Sequence, residues 1–288
     1  MKIFQKGFNY SQDGPGNRLV FHLQGCNMRC PWCANPEGFE RDGALMTDEK
    51  WLMPELCPHG AVEGLTLNRA VCRECTGKEC IHVYKGKGIY ASCEEVDTEE
   101  VIREALSARM MYYDGGGVTF TGGECTLQFD ELLTVLKTLK KHGIHTAIES
   151  NAAHPRLQEL FPYVDCLMAD CKLINDKKHR KLTGISNEMI LQNIRKAARM
   201  HPWVHVRVPL VGGVNNSEKE IGELIAFFQS LPQENMTFEA LKYHEYGKKK
   251  WRQCGLDYPM DEKAKITADE FRAFRDRIES AGLKYKRT

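Results

Sequence analysis

The sequence contains little that would place the chain in a membrane or on a nucleic acid. No apolar run approaches the roughly 20 residues that cross a bilayer, and the opening MKIFQKGFNY lacks the apolar stretch of a secretory signal. The 288 residues carry a formal net charge of +1, so no excess charge attracts nucleic acid or anionic lipid. No repeat of fixed period and no low-complexity tract is present. We therefore expect a cytoplasmic globular protein with no nucleic-acid partner and no membrane partner.

Cysteine, by contrast, is abundant, with 12 residues in the chain. Disulfides are rare in a reducing cytosol, so many cysteines in such a protein indicate metal ligands before they indicate a disulfide framework. Eight of the cysteines fall between Cys26 and Cys93, which points to metal binding in that part of the chain. We expect the other four to be inert core thiols, namely Cys125, Cys166, Cys171 and Cys254.

Outside the cysteine-rich part, short apolar runs typical of strands alternate with amphipathic segments typical of helices. The strand-like runs lie at 19–25, 117–124, 145–151, 165–172, 205–213 and 236–244. Helical patterns cover 129–143, 217–231 and 267–281, and another helix is predicted to open at Thr98, with capping chemistry there. Such alternation predicts an α/β fold with a parallel sheet and right-handed crossovers. With six units, we expect a partial, TIM-like (βα)6 barrel over residues 1–288, interrupted by an insert at 47–95.

Glycines, charged residues and amides stand where the predicted strands end. In (βα) barrels the active site lies at the C-terminal ends of the strands, so these residues are candidates for one shared site. They are Gly122, Gly123, Glu124, Glu149, Asn151, Asp170, Cys171, Lys172, Arg207 and His244.

The first predicted strand leads directly into a loop with the spacing Cys26-x3-Cys30-x2-Cys33. Thiolates bind iron–sulfur clusters, and three of them would hold three irons of a cubane cluster. The fourth iron would keep an open position, as catalytic metal sites generally do. A zinc site that lacks one ligand and a three-cysteine redox loop are the alternatives that fit the spacing.

The motifs and their order resemble those of the radical S-adenosylmethionine (SAM) superfamily and, within it, the activating enzymes of glycyl-radical enzymes. The resemblance rests on DGPGNR at 13–18, QGCNMRCPWCANPE at 24–37, TGGE at 121–124, ADCK at 169–172, HRKLTGISNEMILQNI at 179–194 and KYHEYGKKKW at 242–251. It implies an oxidoreductase with a [4Fe–4S] cluster bound by Cys26, Cys30, Cys33 and SAM. Such enzymes reductively cleave SAM and remove hydrogen from one glycine of a large partner enzyme. A flavodoxin or ferredoxin supplies the electron.

The same resemblance implies roles for individual residues. Trp32, Cys33 and Ala34 would flank the cluster and SAM, and Gly122, Gly123 and Glu124 would grip the methionyl amino group. Residues expected along the rest of SAM are Glu149, Asn151, Asp170, Cys171, Lys172, Arg207 and His244, with Arg207 suited to the carboxylate. The chain departs from the family in having Ala34 where a histidine is usual, Glu149 where aspartate is common, and Cys171 between Asp170 and Lys172.

The insert holds Cys57-Pro58, Cys72-x2-Cys75-x4-Cys80 and Cys93. Many relatives carry a ferredoxin-like insert with two clusters, in which the cysteine before proline binds the other cluster. Here one cluster's own three ligands are missing, so we predict one second [4Fe–4S] cluster on Cys72, Cys75 and Cys80. The fourth ligand is either Cys57 or Cys93. A structural zinc and a vestigial insert are the alternatives.

Two other functions are compatible with parts of the sequence. A radical SAM enzyme that acts on a small molecule would need polar groups inside the barrel, and no acid–base set is evident there. An iron–sulfur electron carrier or zinc-binding protein would use the insert but not the barrel motifs. For an activating enzyme we expect a monomer that docks on its partner, with the loop Asp13–Arg18 at the cluster side as a candidate contact. We expect the lysine run at 248–250 to be a solvated loop.

Overall fold

The computed structural model describes residues 1–10, 12–75, 77, 79–83 and 87–287, so a few positions of the predicted insert lie outside the described residues. The strands are β1 (Lys2–Asn9), β2 (Arg18–Leu23), β3 (Leu45–Thr47), β4 (Val62–Glu63), β5 (Thr66–Leu67), β6 (Ile89–Ala91), β7 (Glu94–Glu95), β8 (Gly117–Gly122), β9 (Thr146–Ser150), β10 (Cys166–Asp170), β11 (Val204–Leu210) and β12 (Met236–Lys242).

The helices are α1 (Arg69–Glu74), α2 (Cys80–Val83), α3 (Thr98–Ser107), α4 (Phe129–Lys141), α5 (Asp176–Thr183), α6 (Glu188–Met200), α7 (Glu218–Gln229), α8 (Lys248–Gln253) and α9 (Ala268–Ser280). Short 3-10 turns link several of them, including Cys125–Gln128 ahead of α4. No helix within the described ranges is long and apolar enough to cross a membrane.

Six parallel strands form the barrel, as predicted. The order β2-β8-β9-β10-β11-β12 follows the chain, and each neighbouring pair is parallel. Each of the six strand-like runs of the sequence overlaps one of these strands. The sheet ends at β12 on one side, so the barrel is partial and open rather than a closed ring of eight.

Two edge strands were not predicted from the sequence. Antiparallel β1 pairs with β2, and β7 pairs in turn with β1, which extends the sheet beyond the six parallel strands. The first strand was missed because KIFQKGFN has four exposed positions and no strict alternation. The segment between β2 and α3 also contains the short hairpin β4–β5 and the antiparallel pair β3–β6, whose strands lie at the two ends of the insert. It has its own apolar cluster around Leu52, Val62, Cys80 and Ile89, separate from the main core.

The strands divide their side chains between two environments. Leu19, Phe21 and Leu23 of β2 face the helices, and the Phe21 ring stacks on that of Phe120 at 5.5 Å between centroids. A second, smaller apolar cluster contains Ala147, Cys166 and Met168, packed against Trp203, and lies on the opposite face of the sheet, inside the barrel. The period of two along each strand therefore separates a helix-facing core from a barrel interior, which we call the lumen.

Helix boundaries follow local capping chemistry. Thr267 caps α9, and its side chain and that of Glu270 form a reciprocal capping box. The expected cap at Thr98 was wrong by one residue, because Asp97 occupies the N-cap position and makes no side-chain capping bond. Acidic Glu99 and Glu100 still lie in the first turn of α3, where negative charge interacts favourably with the helix dipole.

Truncation of a core leucine tests the packing of α4 on the sheet. Leu136 is fully buried, so Leu136→Ala should lower the free energy of unfolding by about 2–5 kcal/mol. Urea denaturation followed by circular dichroism measures the change. The matched control Met200→Ala removes a side chain that is 64% exposed, and it should change stability by less than about 0.5 kcal/mol. Equal losses in the two variants would contradict this account of the core.

Candidate active site

The loop with the three cysteines has no regular secondary structure between β2 and the turn Pro36–Gly38, so contacts from other segments hold it. The Gly25 N–H donates to the Gly38 carbonyl at 3.1 Å, and the Cys26 N–H donates to the Phe39 carbonyl at 3.1 Å. The Arg29 N–H reaches the carbonyl of Thr183, at the end of α5, at 2.8 Å. These bonds close the loop on itself and tie it to the barrel.

The three thiols converge on the C-terminal end of β2. Burial raises the pKa of Cys26 to about 12 and also raises those of Cys30 and Cys33, and the nearby Cys30 sulfur adds to the shift at Cys33. Backbone N–H groups of Met28 and Asn35 donate to the sulfurs of Cys26 and Cys33, each at 3.4 Å. Buried thiolates would therefore need positive charge beside them, which bound iron supplies.

The separation of the sulfurs bears on what they bind. Four thiolates around one zinc at about 2.3 Å would lie roughly 4 Å apart. Among the described residues, the sulfurs of Cys26, Cys30 and Cys33 do not form a set in which all lie within 4.8 Å of one another. This spread is compatible with a cluster of several irons, for which three converging thiols are a suitable donor set.

Gly123 brings the second strand of the barrel against this loop. A Cβ at position 123 would lie 2.3 Å from the Gly25 carbonyl oxygen and 2.5 Å from that of Gly38, well inside contact distance. The close approach also allows the Glu124 N–H to donate to the Gly25 carbonyl at 2.7 Å. Glycine is needed here because two backbones meet with no space for a side chain.

Glu124 stabilises the same region through hydrogen bonds to its carboxylate. Its buried carboxylate accepts hydrogen bonds from the Asn151 N–H (2.6 Å), the Ser150 hydroxyl (2.7 Å), and the N–H (3.1 Å) and hydroxyl (2.5 Å) of Thr126. Burial raises its pKa, and these donors oppose the shift. Asn151 in turn donates its side-chain amide to Asn27 of the cysteine loop at 2.7 Å. The carboxylate is thus occupied by protein donors, so Glu124 fixes the backbone of the site.

The lumen below the cysteine loop is polar, contrary to the expectation of no acid–base set there. Arg207 pairs with Glu149 at 2.7 Å and with Glu239 at 3.4 Å, and His205 lies 3.2 Å from Glu239. Burial alone would raise the pKa of Glu149, but Arg207 beside it brings that pKa below its usual range. The Thr121 hydroxyl also donates to Glu149 at 2.9 Å. These groups neutralise one another and line the lumen.

The placement of Arg207 corrects the sequence analysis. Arg207 lies in the middle of β11 and not at its C-terminal end, and its side chain is buried in the lumen. Two polar residues of the same network, His205 and Glu239, were missed. Their signal was available, because HVRV and TFEA alternate polar and apolar residues with the period of a strand.

Buried polar atoms near the mouth that have no hydrogen-bond partner among the described residues include Nδ1 of His22 and Oδ1 of Asp170. The other oxygen of Asp170 accepts from Lys172 at 2.5 Å. Burial alone would lower the pKa of Lys172, but the negative charge of Asp170 and then that of Cys30 raise it. The mouth therefore offers a buried cation beside the thiols and a free carboxylate oxygen.

We had expected the loop Asp13–Arg18 to lie on the cluster side, but it does not. It packs where β2 and β8 begin, so it is at the opposite end of β2 from Cys26. The Gln12 carbonyl and Asp13 nevertheless reach Arg207 in the lumen. Burial, followed by the nearby charge of Glu149, raises the pKa of Asp13 to about 6.

Comparison with known proteins connects this geometry to one family. The model of the radical SAM superfamily matches residues 71–227. The choline trimethylamine-lyase activating enzyme of Oleidesulfovibrio alaskensis is 31% identical over 95% of this chain and 92% of its own. The indoleacetate decarboxylase activating enzyme of Tractidigestivibacter scatoligenes is 29% identical over 95% and 93%. A solved domain of pyruvate-formate lyase-activating enzyme from Bacteroides vulgatus superposes with a TM-score of 0.50 at 29% identity, over 60% of this chain and 98% of the domain.

The chain belongs to the glycyl-radical enzyme activating enzymes of the radical SAM superfamily. It is therefore an oxidoreductase, and its family implies a [4Fe–4S] cluster and SAM. The three converging thiols, the glycine-lined approach at Gly123 and the unpartnered oxygen of Asp170 fit those groups.

Not every predicted site residue of the activating enzyme faces the mouth. Cys171 is buried in the main core, where its side chain packs away from the lumen. Trp32 is also buried against that core, next to Cys30 and Cys33. Ala34 is half-buried, and His244 is exposed two residues after β12, with its ring stacked on Tyr246 at 4.2 Å.

The insert of the activating enzyme brings four of its cysteines together. Burial and then the charge of Cys57 raise the pKa of both Cys72 and Cys80, and Cys75 contributes to each shift. Cys93 lies elsewhere, beside Ser92 and Gly43, close to Lys2.

One compact set of potential ligands for a single ion is also present in the described part of the insert. Ligand atoms of His59, Cys75 and Glu79 lie within 4.8 Å of one another. His59 and Glu79 were not predicted as ligands from the sequence. Histidine, cysteine and glutamate are all zinc ligands, and His59 and Glu79 are exposed here. Zinc binding in the insert therefore stays an alternative that metal analysis can test.

Two glycine-to-alanine variants test the close approach of the cysteine loop to the end of β8 at the mouth. Gly123→Ala should force the cysteine loop away from β8 and cause loss of iron from it, because the new Cβ overlaps two backbone oxygens. Gly222→Ala is the matched control, since a Cβ there meets nothing within 4 Å and the position lies in α7. Iron and sulfide assays on anaerobically purified protein measure the result. Full iron retention in Gly123→Ala would show that the approach is not needed.

Proposed function

We propose that this activating enzyme generates a glycyl radical on a large partner enzyme. The chemistry supplied by the bound cluster and SAM is reductive: one electron enters the sulfonium, a carbon–sulfur bond breaks, and methionine and a 5′-deoxyadenosyl radical result. Transfer of a hydrogen atom to that radical from the α-carbon of one glycine of the partner would give 5′-deoxyadenosine and the glycyl radical. A flavodoxin or ferredoxin provides the electron.

The observation that carries the proposal is the position of the three-thiol loop. It lies at the C-terminal mouth of a barrel whose sheet is not closed, with β12 at one end and β1 and β7 at the other. A peptide loop of a partner would approach this mouth, where the three thiols converge. The relatives that are named as activating enzymes align over almost the whole chain, which supports the same reaction class here.

Different residues of this chain bind the cluster and the groups of SAM in this proposal. Cys26, Cys30 and Cys33 hold the cluster and leave one iron for SAM. The backbone around Gly123 lets the methionyl amino group come close, and Lys172, a buried cation whose charge acts on Cys26 and Cys30, faces the carboxylate. The sequence had suggested Arg207 for that carboxylate. Arg207 instead forms ion pairs with Glu149 and Glu239 in the lumen.

Electron paramagnetic resonance tests the proposed reaction. Reduced protein mixed anaerobically with SAM and its glycyl-radical partner should give a doublet from a carbon-centred radical, together with 5′-deoxyadenosine. Cys30→Ala should abolish both, because one of the three cluster ligands is lost. Cys93→Ser is the control and should retain both, since Cys93 lies away from the loop. Release of 5′-deoxyadenosine with no radical on any protein would favour a small-molecule substrate.

We also propose a second [4Fe–4S] cluster in the insert, held by Cys57, Cys72, Cys75 and Cys80. The grouping of these four thiols, with Cys93 apart, supports Cys57 as the fourth ligand. Four thiolates leave no open iron, so this cluster would relay electrons and not bind substrate.

Metal analysis of three variants distinguishes the ligand sets in the insert. The wild type should contain about eight irons per chain, and Cys57→Ser should lower this to about four. Cys93→Ser should leave the iron content unchanged, and so should His59→Ala. If the wild type instead held about four irons and one zinc, and His59→Ala released the zinc, the insert would be a zinc site.

A further inference from the structure

Helix α8 packs directly on the loop that carries the three thiols. The Trp251 indole N–H donates to the Cys33 carbonyl at 2.9 Å, and Lys250 reaches Asn35 at 2.8 Å and Glu37 at 2.5 Å. The lysine run at 248–250 is therefore not simply a solvated loop, as the sequence suggested. Gly247, ahead of the helix, allows the contact, because a Cβ there would lie 2.6 Å from the same Cys33 carbonyl.

The other end of α8 is held by the insert. The Arg69 guanidinium donates to the Gln253 carbonyl at 2.7 Å and to the Leu45 carbonyl at 2.6 Å. The Gln253 side chain donates to the Tyr90 hydroxyl at 3.1 Å, which adds a second bond to the insert. Gly255 is needed beside this contact, because a Cβ there would lie 1.9 Å from the Arg69 side chain.

The chemistry of the Arg69 contact makes it more than an incidental surface bond. The guanidinium lies at the C-terminal end of a helix, where the carbonyls lack helical partners and carry partial negative charge. It joins two carbonyls from different segments with the fixed geometry of its fork, which a lysine cannot reproduce. Hydrogen bonds to a charged group are also stronger than those between neutral groups.

Arg69 and Cys72 lie three residues apart on the short helix α1, so they face the same side. A change at Cys72 that moves α1 also moves the guanidinium that holds the end of α8. Along α8, Gln253 and Trp251 are separated by half a turn. A continuous set of contacts thus leads from the insert ligand Cys72 to the backbone of the loop ligand Cys33.

We propose that α8 couples the insert to the catalytic loop, with Arg69 as the positioning residue of this contact. The insert then has a role besides electron transfer: its metal-bound state holds α8 in place, and α8 holds Cys33 in the geometry that the cluster requires. The inference rests on the proposed function for the identity of the two metal sites. The contacts that carry it do not depend on that function.

Hydrogen–deuterium exchange of the iron-loaded protein, without SAM, reductant or partner, tests the coupling. The measured segment is 30–39, in which the amides of Cys33, Asn35 and Gly38 are hydrogen-bonded. Arg69→Ala should accelerate exchange there about tenfold, as expected from loss of a charge-assisted hydrogen bond. Arg69→Lys, which keeps the charge but not the fork, should give a smaller acceleration and covers the case in which the alanine variant does not fold.

The matched control is Arg252→Ala. Arg252 lies on α8 itself and is exposed, and its side chain forms no hydrogen bond or ion pair with the described residues, so exchange in 30–39 should remain at the wild-type rate.

Cys72→Ser should accelerate exchange in 30–39 as Arg69→Ala does. The double variant should exchange no faster than the faster single variant, because both act through the same contact. The coupling is refuted if Arg69→Ala alters exchange only within the insert, or if the two single effects multiply. Failure of SAM cleavage would overturn the proposed function but would leave these rates unchanged, so the two ideas are tested separately.

Discussion

A loop without secondary structure has to hold three sulfurs in fixed positions, and the rest of the site depends on how that is achieved. The loop is closed at its base by the Gly25–Gly38 and Cys26–Phe39 bonds, but its other internal backbone bonds are short-range, such as Cys33 N–H to Cys30 carbonyl. Three neighbours therefore act on it: β8 through the close approach at Gly123, α5 through the Thr183 carbonyl, and α8 through Trp251. Each contact fixes backbone and not side chain, so the sulfur positions follow from the barrel's own geometry.

The lumen obeys a related constraint, since charge buried away from water must be compensated. Arg207 lies between Glu149 and Glu239, and the Gln12 carbonyl accepts a further hydrogen bond from it. Burial lowers the pKa of His205, which keeps that imidazole neutral beside Glu239. The charged groups of this network bond one another, so the network around Arg207 does not itself provide a free acid or base.

Much of the barrel could be predicted from the sequence, because buried parallel strands such as GVTFTG are apolar runs bounded by glycines and polar residues. The exposed strand β1 lacks that signal, and helix α5 is too polar to show an apolar stripe. At the site, spacing identified the three loop cysteines. Spacing could not show that Glu124 accepts hydrogen bonds from protein donors, or that Cys171 faces the core. Both depend on how the folded chain orients each side chain toward neighbouring elements.

In the insert, cysteine spacing alone does not determine which cysteines lie together, whereas the fold does. Spacing favoured Cys57, which precedes a proline, and left Cys93 as a rival, because both flank the run from Cys72 to Cys80. The fold separates them: β7 draws the chain after Ser92 back to the main sheet, which carries Cys93 away from the insert's own apolar cluster. The same return places Tyr90 against Gln253 of α8. The excursion that separates Cys93 from the other insert cysteines therefore also brings the insert into contact with the helix that packs on the cysteine loop.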